Sequence, residues 1–132
     1  MAPRSDGMAL LGRALLAVLF IVSGWGKLTG FQSAVGFIAS KNLPVPQVLA
    51  VIAVVFELGG GLLLLIGLKA RWVALLLVVF LLVITPIFHN FWSAAADQAG
   101  NQQIHFMKNL AIMGGMFMVA ALGPGRFSVD RG

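Results

Sequence analysis

Four stretches of this chain run apolar for close to twenty residues, and short polar or mixed segments separate them. They are Leu10–Leu28, Gln47–Leu68, Trp72–Trp92 and Ile104–Leu122. A helix needs about 20 mostly apolar residues to cross the hydrocarbon core of a bilayer. Each stretch therefore predicts a spanning helix, although the first and last reach that length only by including ionisable residues. The first also has the basic start and apolar run of a secretory leader. It continues, however, as "SGWGKL", with Trp25 and no small-residue cleavage pattern, so a retained span is expected.

The connections refine the picture. "KARW" between the second and third stretches is tight enough to make those helices antiparallel neighbours, whereas "SAAADQAGNQQ" (Ser93–Gln103) reads as a polar loop. In Thr29–Pro46, Phe31, Val35 and Ile38 recur at near-helical spacing, which predicts a short helix ended by Pro44 and Pro46. "GPGR" ends the fourth span. The fold class is therefore an all-α membrane protein. Residues 1–132 form one domain, a bundle of four transmembrane helices with a short interfacial or re-entrant helix between the first two.

Composition agrees with that reading and excludes others. The chain has 132 residues, of which 60% are hydrophobic and only 10% charged. A soluble domain of this size has too little interior to hide so much apolar surface. There is no cysteine, which removes disulfides and thiolate chemistry carried by this chain alone. The net charge of +5 comes with no basic run longer than a pair, so nucleic acid is not an expected partner and the lipid bilayer is. With the N-terminus inside, Arg4, Arg13, Lys69, Arg71, Arg126 and Arg131 fall on the cytoplasmic side, and Lys27, Lys41 and Lys108 outside. That bias predicts a multi-pass protein of a bacterial-type cytoplasmic membrane with both termini in the cytoplasm.

Depth then singles out one acid. In "VVFELGGGLLLLIG", Glu57 lies ten residues into the second span, so roughly 15 Å deep at the helical rise. A charge there costs at least about 2.5–3.5 kcal/mol unless it is paired, protonated or facing water. The other spans offer basic or polar groups at the same end: Lys27, His89, Asn90, His105, Lys108 and Asn109. His105, Lys108, Asn109 and Ile112 share a helical face. The expectation is a polar pocket with a Glu57–Lys108 ion pair at its floor and His89, His105, Asn109 and Lys27 on its wall. Gly60 and Gly61 share the face of Glu57, where they permit close helix packing or leave room for a flat ligand. Trp92 belongs to an outer aromatic belt with Trp25, Phe31, Phe88, Phe91 and Phe106. His89 and His105 alone are weak grounds for haem or metal, and no metal site or intrinsic cofactor is expected.

The same residues carry a resemblance. "RALLAVLFIVSGWGKLTGF", "FELGGGLLLLIGLKAR", "FHNFW", "HFMKNLAIMGG" and "GPGRFSVD", in this order and spacing, resemble the DoxX family of integral membrane proteins over almost the whole chain. The resemblance implies four membrane helices. It also implies signature positions at Gly26–Lys27, Glu57–Gly60, His89, Lys108–Asn109 and Ser128-x-Asp130. The family takes its name from a subunit linked to a thiosulfate:quinone oxidoreductase, and other members are associated with thiol-redox or oxidative-stress complexes. The leading expectation is therefore a redox-linked accessory subunit that contacts a quinone and a membrane or soluble redox partner. Glu57 would handle a proton, and the chain would not be a complete enzyme by itself. The alternative is a non-enzymatic membrane assembly or stabilising factor; a small-solute or proton transporter, which with four helices would need a homo-oligomer, ranks third.

Overall fold

A computed structural model describes residues 5–132. Arg4, counted above on the side of the termini, lies outside the described residues. Helix α1 runs Asp6–Thr29, α2 Phe31–Ala39 and α3 Pro46–Val54. A π-helical turn at Val55–Gly59 leads into α4 (Gly60–Ile66), then α5 (Ala70–Phe88), a single 3₁₀ turn (Phe91–Ser93) and α6 (Ala96–Leu122). Helix α3, the π turn and α4 are one continuous rod. Four helical stretches, Asp6–Thr29, Pro46–Ile66, Ala70–Ser93 and Ala96–Leu122, are long and apolar enough to cross a membrane.

The fourth helix starts well before its apolar stretch. Most of "SAAADQAGNQQ", expected as loop, is its first two turns. Alanine and glutamine are good helix formers, and Asp97 in the first turn suits the positive end of the helix dipole. Apolar periodicity reports only the part of a helix that needs an apolar environment, so it misses a polar extension. The short helix between the first two spans is where Phe31, Val35 and Ile38 placed it. Val35 and Ile38 are buried with Ala50, against Phe31, Leu43, Leu49 and Phe88. Phe37 stacks on Phe88 with ring centroids 5.4 Å apart, which ties α2 to the end of α5.

Most side chains inside the bundle are apolar, and so are most of those on the outward faces of its helices. Ala17, Phe20, Leu64, Leu77, Leu81, Met113 and Met116 form the main core. Leu15, Val18, Val22, Val51, Leu76, Val79, Leu82 and Phe117 face outward. That double apolarity is what a hydrocarbon solvent permits and water does not.

Helix α1 meets the second rod at backbone distance. A Cβ built on Gly24 would lie 2.5 Å from the Leu58 nitrogen, and one on Gly61 would lie 2.8 Å from Ile21 Cγ1. Neither position admits a side chain without moving a helix. In lipid there is no water to expel between helices, so close packing across small residues is a principal source of association.

At the end that carries the termini, α4 stops at Gly67, whose φ of +73° is the left-handed cap conformation glycine adopts freely. The C-terminal tail then folds back over this turn. The Val129 N–H donates to Ile66 O at 2.9 Å and the Asp130 N–H to Gly67 O at 3.0 Å. Ser128 packs directly on Gly67, leaving no space for a side chain there.

Candidate functional site

Glu57 sits in the middle of the π turn. A π turn holds one more residue per turn than the α-helix and re-aims the side chains beside it; such bulges are frequent at functional sites. Ser23 and Lys27 lie one turn apart on the facing side of α1, and the close approach at Gly24 brings both within reach. Lys27 Nζ lies 3.1 Å from Glu57 Oε1 and donates to Ser23 Oγ at 2.9 Å. The Ser23 hydroxyl donates to the same carboxylate oxygen. The glutamate side chain is 6% exposed and that of Lys27 35%, so a buried carboxylate is matched by an ammonium near the surface.

This corrects the expected pairing with Lys108. Lys108 is exposed, and its Nζ lies 3.3 Å from Nδ1 of His105 on its own helix. Successive residues of a helix are about 100° apart in direction. Helix α6 turns Asn109 and Ile112 into the bundle, which swings Lys108 out. Ser23 was missed; its signal was a small hydroxyl one turn before Lys27 in an otherwise apolar run.

The glycines also resolve. Gly60 faces Leu77, whose Cδ2 would lie 3.1 Å from an added Cβ, and Gly61 faces Ile21 and the Ala17 carbonyl. Side chains of neighbouring helices fill the space expected for a flat ligand at these two positions, so their role is packing.

The remaining candidates form three further groups. Buried Asn109 donates from Nδ2 to the hydroxyl of buried Thr85 at 3.1 Å, joining α6 to α5. The imidazoles of His89 and His105 stack with centroids 5.0 Å apart, and His89 Nδ1 lies 2.8 Å from Gln102 Oε1. Both histidines are partly exposed. Trp92 is 60% exposed and packs edge-on against Phe91 and Phe106. Among the described residues no hydrogen bond joins these groups to Glu57, so the residues expected around a single pocket fall into four separate arrangements. No group of three or more His, Cys, Asp or Glu among them is placed to hold a metal ion.

The other end of the bundle holds a polar centre that the sequence reading used only for counting charge. Arg13 is 2% exposed. Its guanidinium donates to Phe127 O at 2.7 Å, to Leu65 O at 3.2 Å and to the Pro124 carbonyl. It thereby ties α1 and α4 to the tail. Asp130 completes the clamp by accepting the N–H groups of Lys69 and Ala70, each at 2.9 Å, at the start of α5. These positions matched the resemblance at Ser128-x-Asp130; Arg13 was legible as an arginine inside an apolar run.

The backbone N–H donors of Ala70 and Lys69 hold the Asp130 carboxyl below its ordinary value. The sign follows from the ionised form being the one that caps the helix. The contribution is fully present above the ordinary carboxylate range and is lost as pH falls through the depressed folded value. Asp130→Ala is expected to cost about 1 kcal/mol, as for a lost helix cap, and to loosen the tail at neutral pH. The rate of carboxypeptidase trimming checks this, and the wild-type tail should loosen only in acid.

The DoxX family model matches residues 8–90. The chain is 35% identical to Inner membrane protein YphA of Escherichia coli over 124 residues, covering 94% of this chain and 89% of the relative. It is 36% identical to Inner membrane protein YqjF of the same organism over 126 residues, covering 96% and 92%. A Surfeit locus protein 4 homolog of Drosophila melanogaster is 31% identical over 126 residues, which cover 93% of this chain but 40% of that protein. No solved structure matches.

Proposed function

The chain belongs to the DoxX family of membrane proteins, and from that premise we propose that it is a non-enzymatic accessory subunit that stabilises or assembles a partner in the bacterial inner membrane. The inner membrane is the one named for its relatives YphA and YqjF. The Lys/Arg bias supports placing both termini in the cytoplasm. In this reading Ser23, Lys27 and Glu57 lock α1 against the second span. One observation carries it: the deepest ionisable group already has an ion-pair partner and a hydroxyl donor, and Leu77 and Ile21 stand against Gly60 and Gly61 beside it.

A second reading keeps the redox link and moves its site. His89, His105 and Lys108 bring nitrogen groups together at the end of the bundle that also carries Trp92 and Phe106. A quinone carbonyl would find hydrogen-bond donors there, and the partner protein would bring the flavin, metal or thiol that this cysteine-free chain lacks.

The two readings separate in material purified gently from membranes and analysed by mass spectrometry. The scaffold reading expects a stoichiometric protein partner, no stoichiometric quinone, and a complex that survives His89→Ala and His105→Ala but not Lys27→Met, which leaves the Glu57 carboxylate without its ammonium. Retained quinone that disappears in the histidine variants would overturn it in favour of the second reading.

A further inference from the structure

We propose that the termini end of the bundle holds one anionic phospholipid, its phosphate between Arg126 and Arg131 and one acyl chain in the groove between α1 and α6. This stands apart from the function proposed above, because it uses neither Glu57 nor the histidines.

Two cavities lie side by side at this end. One, of about 540 Å³, is lined by Asp6, Arg126, Phe127 and Arg131. The other, of about 370 Å³, is an apolar groove between α1 and α6; Met8, Gly12, Leu16, Met118, Val119 and Leu122 are among its walls. The start of α1, which contributes Asp6 to one and Ala9 to the other, touches the tail. A Cβ on Gly125 would lie 3.0 Å from Ala9 Cβ and 3.8 Å from Asp6 Oδ1, and the Arg126 N–H donates to that same oxygen. A ligand in one cavity is thus within a turn of helix of the other.

The charge at the mouth selects the headgroup. Arg13, Lys69, Arg71, Arg126 and Arg131 stand at this end against Asp6 and Asp130. Arg13 and Asp130 are engaged in the tail clamp, and Asp6 accepts only a backbone N–H of Arg126. Among the described residues the guanidinium groups of Arg126 and Arg131 donate to no protein group. Arginine presents paired donors suited to phosphate oxygens. Phe127, 59% exposed beside Arg126, offers an aromatic ring of the kind that settles at the boundary of headgroup and chain.

The groove supplies the rest of the match. Helix α1 packs intimately on α4 through Gly61 but touches α6 sparingly. A Cβ on exposed Gly12 would meet nothing within 4 Å, whereas one on Gly115 would lie 3.1 Å from Leu16 Cδ2, so the groove is open on its Gly12 side. An apolar slot between α1 and α6, at the same end of the bundle as two arginines that donate to no protein group, fits a lipid. A free phosphate would use only the upper cavity.

The test uses the full chain, delipidated in detergent, offered an equal mixture of phosphatidylglycerol and phosphatidylcholine, and weighed by native mass spectrometry. One phosphatidylglycerol per chain should be retained in preference to phosphatidylcholine. Arg126→Gln and Arg131→Gln, both at exposed positions, should each weaken that retention about fivefold, the effect of one basic residue near an anionic surface. Arg126→Lys should keep most of it. Gly12→Phe fills the groove without changing charge and should also expel the lipid. Equal retention of both lipids overturns the proposal. So does a Gly12→Phe protein that binds normally, or displacement of the lipid by millimolar inorganic phosphate, which would mark a site for the anion alone.

Discussion

Lys27→Met is expected to destabilise the protein by about 2–3 kcal/mol, and more than Glu57→Leu does. Removing one partner of a buried ion pair costs about 3–5 kcal/mol because the other charge is left uncompensated. The figure here is lower because the Lys27 side chain is 35% exposed. The asymmetry comes from burial. Without Lys27, the 6% exposed carboxylate of Glu57 keeps only the Ser23 hydroxyl. Without Glu57, the long stem of Lys27 can carry its ammonium to the headgroup region. The double variant Lys27→Met/Glu57→Leu should recover most of the loss, since apolar replacement of a whole buried pair is often close to neutral. Unfolding in SDS, followed by tryptophan fluorescence, measures all three. Equal losses in the two single variants, or a double variant as unstable as Lys27→Met, would mean the pair is not the lock described here.

Arg13→Met should be comparably severe, at about 3–5 kcal/mol, and it should act on the tail. The guanidinium is the charged donor to carbonyls of Leu65, Pro124 and Phe127. Hydrogen bonds to charged groups contribute about 1.5–3 kcal/mol each, and a buried carbonyl left without its donor adds a desolvation cost. Summed losses of this kind fall short of additivity because the freed tail can rehydrate its carbonyls. The expected signature is local: trypsin should cut after Arg126 much faster in the variant than in the wild type. Arg13→Lys should rescue only part of the protection, because an ammonium lacks the flat fork that reaches three separate carbonyls. If the tail stays protected in Arg13→Met, then the Asp130 cap and the Val129 and Asp130 backbone bonds hold it alone.

Several features were legible from pattern alone because the bilayer imposes them locally. Runs of apolar residues near twenty long located all four spans, and the Phe31, Val35, Ile38 spacing located α2. Glu57 stood out because its depth in an apolar run is a one-dimensional quantity. The beginning of α6 was not legible in the same way, since "ADQAGNQQ" has helix propensity but no apolar period.

Partner choice was a different kind of problem. Lys108 and Lys27 were both long cations at the correct end of the bundle, and nothing in the order of residues ranks them. The choice depended on how far α6 rotates Asn109 inward and how closely Gly24 lets α1 approach Leu58. Rotations of a few tens of degrees and separations of a few ångströms decide that, and they emerge only when four helices pack together. The same holds for Arg13, whose acceptors lie 52 to 114 residues away in the chain. By itself, then, the sequence determined the number of spanning helices, their membrane solvent and the need to neutralise Glu57, because each follows from hydrophobicity and depth. Tertiary packing alone decided that Lys27 and Ser23 meet that need, that Gly60 and Gly61 serve helix contact, and that a buried arginine ties the tail to the bundle.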